Sequence, residues 1–169
     1  RFVLVANLFV AQAFYEKKIV VEGGDQWRPF IHVKDIANSI VKVLEAPNDK
    51  VSRKIFNVGD SSMNAKIEDI ARLISEDIFN DEKIKIIYRN KIKDKRNYQV
   101  SFKRIRDELG FYSSITLRQG LEEIFDNFRI NKYQKTYKDP YYVNSAMAKE
   151  LKKEFYSKKY RKSHFSTIS

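Results

Sequence analysis

Cysteine is absent from the sequence. That excludes disulfides and thiolate metal sites and makes a reducing, cytoplasmic compartment the expectation. Histidine is scarce: His32 and His164 are far apart, no His/Asp/Glu cluster has ligand spacing, and no metal site is expected. The sequence holds only five glycines and three prolines, with no low-complexity linker, no internal repeat and no Gly-rich loop running into Lys-Ser/Thr. A nucleophile elbow is also missing. No apolar run approaches the ~20 residues that span a bilayer, so no membrane partner is expected. The opening Arg1-Phe2-Val3-Leu4 has neither an initiator Met nor a secretory layout, and reads as a chain beginning inside a helix.

What is present describes a folded protein. The chain has 169 residues, 43% hydrophobic and 14% aromatic, enough for a domain with a real core. The net charge of +11 is uneven: residues 130–169 carry ten Lys/Arg against three Asp/Glu, a net +7 that leaves +4 for the rest. A basic tail suits an anionic partner such as nucleic acid. A general bias toward Lys, Ile and Asn explains it as well, and is the preferred reading.

One stretch organises the rest, Gly23-Gly24-Asp25-Gln26-Trp27-Arg28-Pro29-Phe30-Ile31-His32-Val33-Lys34-Asp35. The glycines permit a tight turn with positive φ, and Pro29 pushes Arg28 toward extended backbone. Phe30–Val33 reads as a short buried strand, with His32 packed in it. Asp35 is expected to open a helix with Ile36, Ile40, Val43 and Leu44 on one face. An arginine held rigidly in such a turn suits an anion, because guanidinium matches phosphate oxygens. The alternative is an arginine at the surface beside a packing Trp27.

Before this stretch, residues 2–15 read as a largely buried helix. Its amides Asn7 and Gln12 need partners, and Asn7 either bridges backbone or faces a ligand. Lys18–Glu22 reads as a short strand, of which Val20 and Glu22 are ordinary members. After it, Pro47 stops the helix of residues 35–46. Lys54–Val58 reads as another strand, and Asn64 is expected to cap a helix carrying Ile67, Ile70, Ala71, Ile74 and Ile78. Ile84–Tyr88 reads as a strand. A short strand after Arg96 leads to a helix from Ser101 that ends at Gly110. Thr116 and Gln119 form a capping box opening a helix with Leu117, Leu121, Ile124, Phe125 and Phe128 on one face. A lysine-rich helix with Met147, Leu151 and Phe155 aligned follows in the tail, and disorder is expected past Tyr160.

Gly-Asp-(any)-(any)-Arg-(any)-Phe-Ile-His-Val-(any)-Asp running into an apolar helix resembles the extended short-chain dehydrogenases/reductases (SDRs), the NAD-dependent sugar-nucleotide epimerase/dehydratase family. The resemblance covers about residues 1–130 and, more weakly, 139–155. It implies that Arg28 contacts the diphosphate of a nucleotide sugar. Val-Ala-Asn-Leu-Phe-Val-Ala-Gln resembles the family's Asn-Asn-Leu helix, placing Asn7 and Leu8 at that diphosphate, with Ala6 in place of the first asparagine. Val20 and Glu22 fall where the family's strand lies along the base. Arg96 matches a second phosphate-gripping arginine, although Lys91, Lys93 and Lys95 are its neighbours and spacing alone does not choose among them. The usual aspartate three residues beyond it is Gln99 here.

The resemblance implies an α/β fold, the C-terminal substrate-binding portion of an extended Rossmann-type protein, with short strands and several amphipathic helices. The implied division is 1–130 as the substrate-binding part and 131–169 as a basic extension. Hydride chemistry in this family needs a Gly-rich turn at the cofactor pyrophosphate and a tyrosine followed four residues later by a lysine. Neither occurs here, so no catalytic residue is assigned. NAD or NADP is expected in the intact enzyme, bound by an N-terminal Rossmann half or subunit rather than by this chain. The expected ligand is a nucleotide-diphosphate sugar, and a homodimer is compatible with the parent enzyme. The alternatives are a basic nucleic-acid-binding module and a non-catalytic remnant that folds only with a separate N-terminal subunit.

Overall fold

The computed structural model describes residues 4–90, 94–130, 137–142 and 144–156. Phe2, Val3, Lys91, Lys93, His164 and the segment past Tyr160 lie outside the described residues.

Helix α1 (Val5–Glu16) is closed by Lys17 in the left-handed conformation, and β1 (Lys18–Glu22) follows at once. After the glycine turn come β2 (Trp27–Pro29), α2 (Val33–Glu45) and the single turn α3 (Asn48–Val51). Next are β3 (Asn64–Lys66) and α4 (Ile67–Arg72), the latter continuing as a π-helical turn over Leu73–Ile78. Strand β4 (Lys85–Arg89), α5 (Lys103–Leu109), α6 (Leu117–Ile130) and α7 (Asn144–Tyr156) complete the order. The strands make two small sheets. β1 pairs in parallel with β4, Lys18 opposite Lys85, and β2 pairs antiparallel with β3, Arg28 opposite Ala65.

The main core lies between α1, β1, α4 and α6. Ile70, Ala71 and Ile74 are fully buried, as their helical spacing requires, and each of the two isoleucines contributes about 1.5–3 kcal/mol over an exposed position. Phe14 stacks on Phe128 at 5.4 Å, and Phe79 meets Phe125 edge-on at 4.5 Å. The capping box of α6 is formed: the Gln119 side chain accepts from the Thr116 N–H at 2.8 Å and Thr116 Oγ1 accepts from the Gln119 N–H at 3.2 Å. A second cluster joins Phe102, Ile105 and Phe111 to Ile31, Phe56 and Val58. Gly59 is required there, since a Cβ would sit 2.6 Å from the Phe102 ring.

Several local expectations change. Phe30–Val33 is not a strand; the β2 ladder ends at Pro29, and His32 instead caps α2, its Nδ1 accepting from the Lys34 N–H at 3.2 Å. The helix therefore starts at Val33 rather than at Asp35. Asn64 is not a cap: it sits in β3 and pairs with Val100, while the first turn of α4 donates to the carbonyls of Gly24 and Gln26. Lys54–Val58 makes no ladder among the described residues, and no strand follows Arg96 directly. The apolar face of α2 exists as expected but points outward, with Ile40 56% and Leu44 78% exposed, and Ile55 is 81% exposed.

Asp35 is buried and ties α2 to the loop before α6. It accepts from the Ser114 hydroxyl at 2.6 Å and from the N–H groups of Ser114 and Ile115 at 3.1 Å each. Burial alone would raise its pKa, but these hydrogen bonds outweigh burial and hold it below the usual value. A depressed folded pKa contributes stability that is complete above the unfolded value near ~3.9 and is lost as pH falls through the folded value. Asp35→Ala, which orphans buried donors, is expected to cost about 1–3 kcal/mol in urea unfolding at pH 7. The deficit relative to wild type should shrink on acidification below pH ~4, and a pH-independent deficit would contradict this role.

Candidate functional site

The site is assembled from two segments about seventy residues apart in sequence. Gly23 has φ +66° and turns the chain after β1. The Gln26 side chain packs where a Gly23 Cβ would stand, and its Nε2 donates to the Asp94 carbonyl at 2.8 Å. One step along, the Trp27 N–H donates to Asn97 Oδ1 at 2.9 Å. Asn64 completes the attachment by bonding both the N–H and the carbonyl of Val100, each at 3.0 Å. Residues 94–100 are thereby fastened along the Gly23–Pro29 turn and strand by side-chain amides.

This attachment sets the arginines. The Arg28 side chain is only 13% exposed and lies 3.7 Å from Asp94 Oδ2. It donates to the Trp27 carbonyl at 2.8 Å and packs 5.4 Å from the centre of the Tyr98 ring, a cation–π contact. Arg96 is exposed; its Nε reaches both Asp94 oxygens at 2.9 and 3.0 Å, and its Nη2 reaches Oδ2 at 2.5 Å. Two guanidinium groups thus converge on one carboxylate oxygen. Arg96 first, with Arg28 adding to it, holds the Asp94 carboxyl well below the usual carboxylate range. A phosphate presents the same kind of oxygen to the same fork of donors.

Both arginines line a cleft of about 1010 Å³ that is also lined by Asn7, Leu8, Val20 and Glu22. The six residues singled out from sequence therefore share one cavity, at the upper end of the size range of ligand pockets. Strand alternation explains part of this. Ile19 and Val21 are buried in the core, so Lys18, Val20 and Glu22 face the cleft. The Val20 N–H is occupied by Gln12 Oε1 at 2.9 Å, so this position meets the cleft through its side chain. Asp94, Tyr98, Tyr137 and Lys138 also line it and were not anticipated. The proximity of Asp94 to Arg96 was a local signal for that pair; nothing local pointed to Tyr137.

Around Glu16 there is a second charged cluster in the same cleft. Its carboxylate takes Lys138 Nζ at 2.6 Å, Lys18 Nζ at 3.1 Å and the Tyr137 hydroxyl. Lys138, then Tyr137 and Lys18, push its pKa down to about 2. Burial, and then the bond to Glu16, push the Tyr137 hydroxyl up. Among the described residues no group of three His, Cys, Asp or Glu could hold a metal. The arrangement can hold and orient a polyanion.

Comparison with known proteins finds a family match and several similar enzymes. Residues 4–59 match the family described as the NAD dependent epimerase/dehydratase family. UDP-glucuronic acid decarboxylase 3 of Arabidopsis thaliana is 28% identical over 127 residues, covering 75% of this chain and 35% of the plant protein. The UDP-glucose 4-epimerase of Thermotoga maritima, solved with UDP-glucose, superposes with a TM-score of 0.63 at 19% identity, over 75% of this chain and 40% of that one. MoeE5, solved with UDP-glucuronic acid and NAD, gives 0.63 at 19% identity, over 77% and 42%. The chain thus resembles the extended SDR sugar-nucleotide enzymes and shares the α/β fold of part of their Rossmann-type structure. It spans about a third of the length of the curated relatives it matches.

Because Asn64 anchors the arginine-bearing segment, Asn64→Ala is expected to lower stability by about 1–3 kcal/mol. The same substitution should speed hydrogen exchange at the Val100 amide. Unchanged exchange there would show that the segment is held by other contacts.

Proposed function

We propose that this chain is the substrate-binding portion of an NAD(P)-dependent enzyme acting on a nucleotide-diphosphate sugar, and that Arg28 and Arg96 clamp the diphosphate. The convergence of both guanidinium groups on Asp94 Oδ2 carries the reading. In the bound state a phosphate oxygen takes that position. Asn7 and Leu8 line the same cavity and reach the same group, while Val20 and Glu22 flank the nucleoside. Residues 1–130 form the substrate-binding part, and residues 131–169 are an extension of it.

The parent enzyme requires more than this chain. The outward apolar face of α2 and the exposed Ile55, on a segment that makes no strand ladder among the described residues, suit coverage by a cofactor-binding lobe, since such a face in contact with water is unfavourable. The residues present do not fit a dinucleotide: the Gly23-Gly24 turn joins two strands, and no Gly-rich turn leads from a strand into a helix among the described residues. No step through the nicotinamide is therefore assigned here. What this chain supplies is orientation, as a rigid grip remote from the reacting carbon converts binding energy into positioning. Epimerisation, dehydration, decarboxylation or reduction is then chosen by groups outside it.

The test is calorimetric binding of pyrophosphate and nucleoside diphosphates to wild type and Arg28→Ala. The variant is expected to lose about 1.5–3 kcal/mol for a charge-assisted contact, roughly a 10–150-fold rise in Kd. Arg28→Lys should recover only part, since an ammonium lacks the fork. An unchanged Kd removes Arg28 from the site. Steeply salt-dependent RNA binding that ignores pyrophosphate would support the nucleic-acid reading instead.

A further inference from the structure

Among the described residues after α6, Tyr137 alone is buried, at 7% exposure. Its ring stacks on Tyr15 of α1 at 6.0 Å, and Tyr15 in turn meets Phe128 edge-on at 5.6 Å. Its hydroxyl donates to Glu16, the carboxylate that also takes Lys138 Nζ at 2.6 Å and Lys18 Nζ at 3.1 Å. Immediately beyond, the chain turns. Asp139 accepts from the Tyr141 and Tyr142 N–H groups at 2.8 and 3.0 Å, closing the single turn Pro140–Tyr142 on which α7 chiefly packs. Tyr137 therefore fastens the described extension to the body of the protein, and Tyr137 and Lys138 stand in the wall of the ligand cleft.

We propose that the C-terminal extension is a detachable wall of the cleft, clasped to α1 through Tyr137 and Glu16, and that a ligand long enough to reach it from the arginine end holds the clasp shut. The clasp stands on its own geometry; the part given to the ligand rests on the diphosphate reading above. Detachment is local because of how the contact is built. One aromatic side chain and one shared carboxylate hold the extension, with no strand ladder or long helix face, so releasing it leaves the core between α1, β1, α4 and α6 in place. Lys138, its side chain 66% exposed, adds an ion pair that water weakens. The Tyr137 hydroxyl, bonded to a charged acceptor and buried, is the stronger link. Coupling to the ligand follows from distance. Lys18 begins β1 and Glu22 ends it, four residues at about 3.3 Å each, or roughly 13 Å. Pyrophosphate on the arginines does not reach the wall, whereas a nucleoside diphosphate extends along the cleft toward it. A ligand that touches the docked wall binds the docked form better, and docking is favoured by the same factor in return.

The experiment is amide hydrogen exchange on the full 169-residue chain, free, with pyrophosphate and with UDP, for wild type, Tyr137→Phe and Lys138→Ala. In free wild type, the amides of residues 137–142 are expected to be protected, but less than those of Ile70 and Ile74, which open only with the core. Tyr137→Phe keeps the ring and deletes the hydroxyl, and should lower protection at 137–142 by about 10–150-fold, the range for a charge-assisted hydrogen bond. Lys138→Ala should lower it by no more than about fivefold. Saturating UDP should raise protection there in wild type by about fivefold or more, and pyrophosphate should leave it unchanged. Unchanged protection in Tyr137→Phe, or protection at 137–142 equal to that at Ile70 and Ile74, overturns the clasp. UDP binding without added protection overturns the ligand linkage and leaves the diphosphate clamp standing. Failure of both UDP and pyrophosphate to bind wild type overturns the clamp and the linkage together, and exchange in the free protein still decides the clasp.

Discussion

The site depends on a seam of side-chain amides between two segments distant in sequence. Gln26 holds the Asp94 carbonyl, Asn97 holds the Trp27 N–H, and Asn64 holds both polar groups of Val100. Backbone groups in an irregular segment must find partners, and here side-chain amides provide them beside a single backbone bond from the Tyr98 N–H to the Trp27 carbonyl at 3.5 Å among the described residues. The result is a fixed distance between an arginine that is mostly buried and one that is exposed. With the seam broken, Arg96 would be one more surface cation among several.

The seam also accounts for the balance of charge. Asp94 answers both guanidinium groups, so two cations are held close without mutual repulsion going unopposed. Exposed ion pairs of this kind add little to stability. Their value lies in pre-arrangement, because a carboxylate that already draws both arginines inward lowers the ordering cost when a phosphate replaces it. At the other end of the cleft Glu16 has the same relation to Lys18 and Lys138. The cleft therefore has two cationic ends, each organised by a carboxylate, joined by the alternating face of β1.

What was legible in the sequence was local. The period of Ile67, Ile70, Ala71 and Ile74, the Thr116–Gln119 box and the left-handed Gly110 all follow from spacing within a turn or two, and all appear. The six cleft residues came from a resemblance to a family rather than from spacing, and the cavity that contains them all is a geometric finding. What was not legible required partners far along the chain. Asn64 looked like a cap because it precedes an apolar helix, yet Val100 claims its side chain. Asp35 looked like a helix opener because nothing nearby shows that Ser114 will bury it. Phe30–Val33 and Lys54–Val58 carry strand-like composition without a neighbouring strand to pair with among the described residues, and composition does not supply one.

The most direct measurement is a pyrophosphate titration of the 169-residue chain followed by NMR at the Nε–H signals of Arg28 and Arg96. One anion held between both arginines predicts that the two signals shift together and saturate with the same Kd. Movement of one signal alone, or two different Kd values, would contradict a shared clamp.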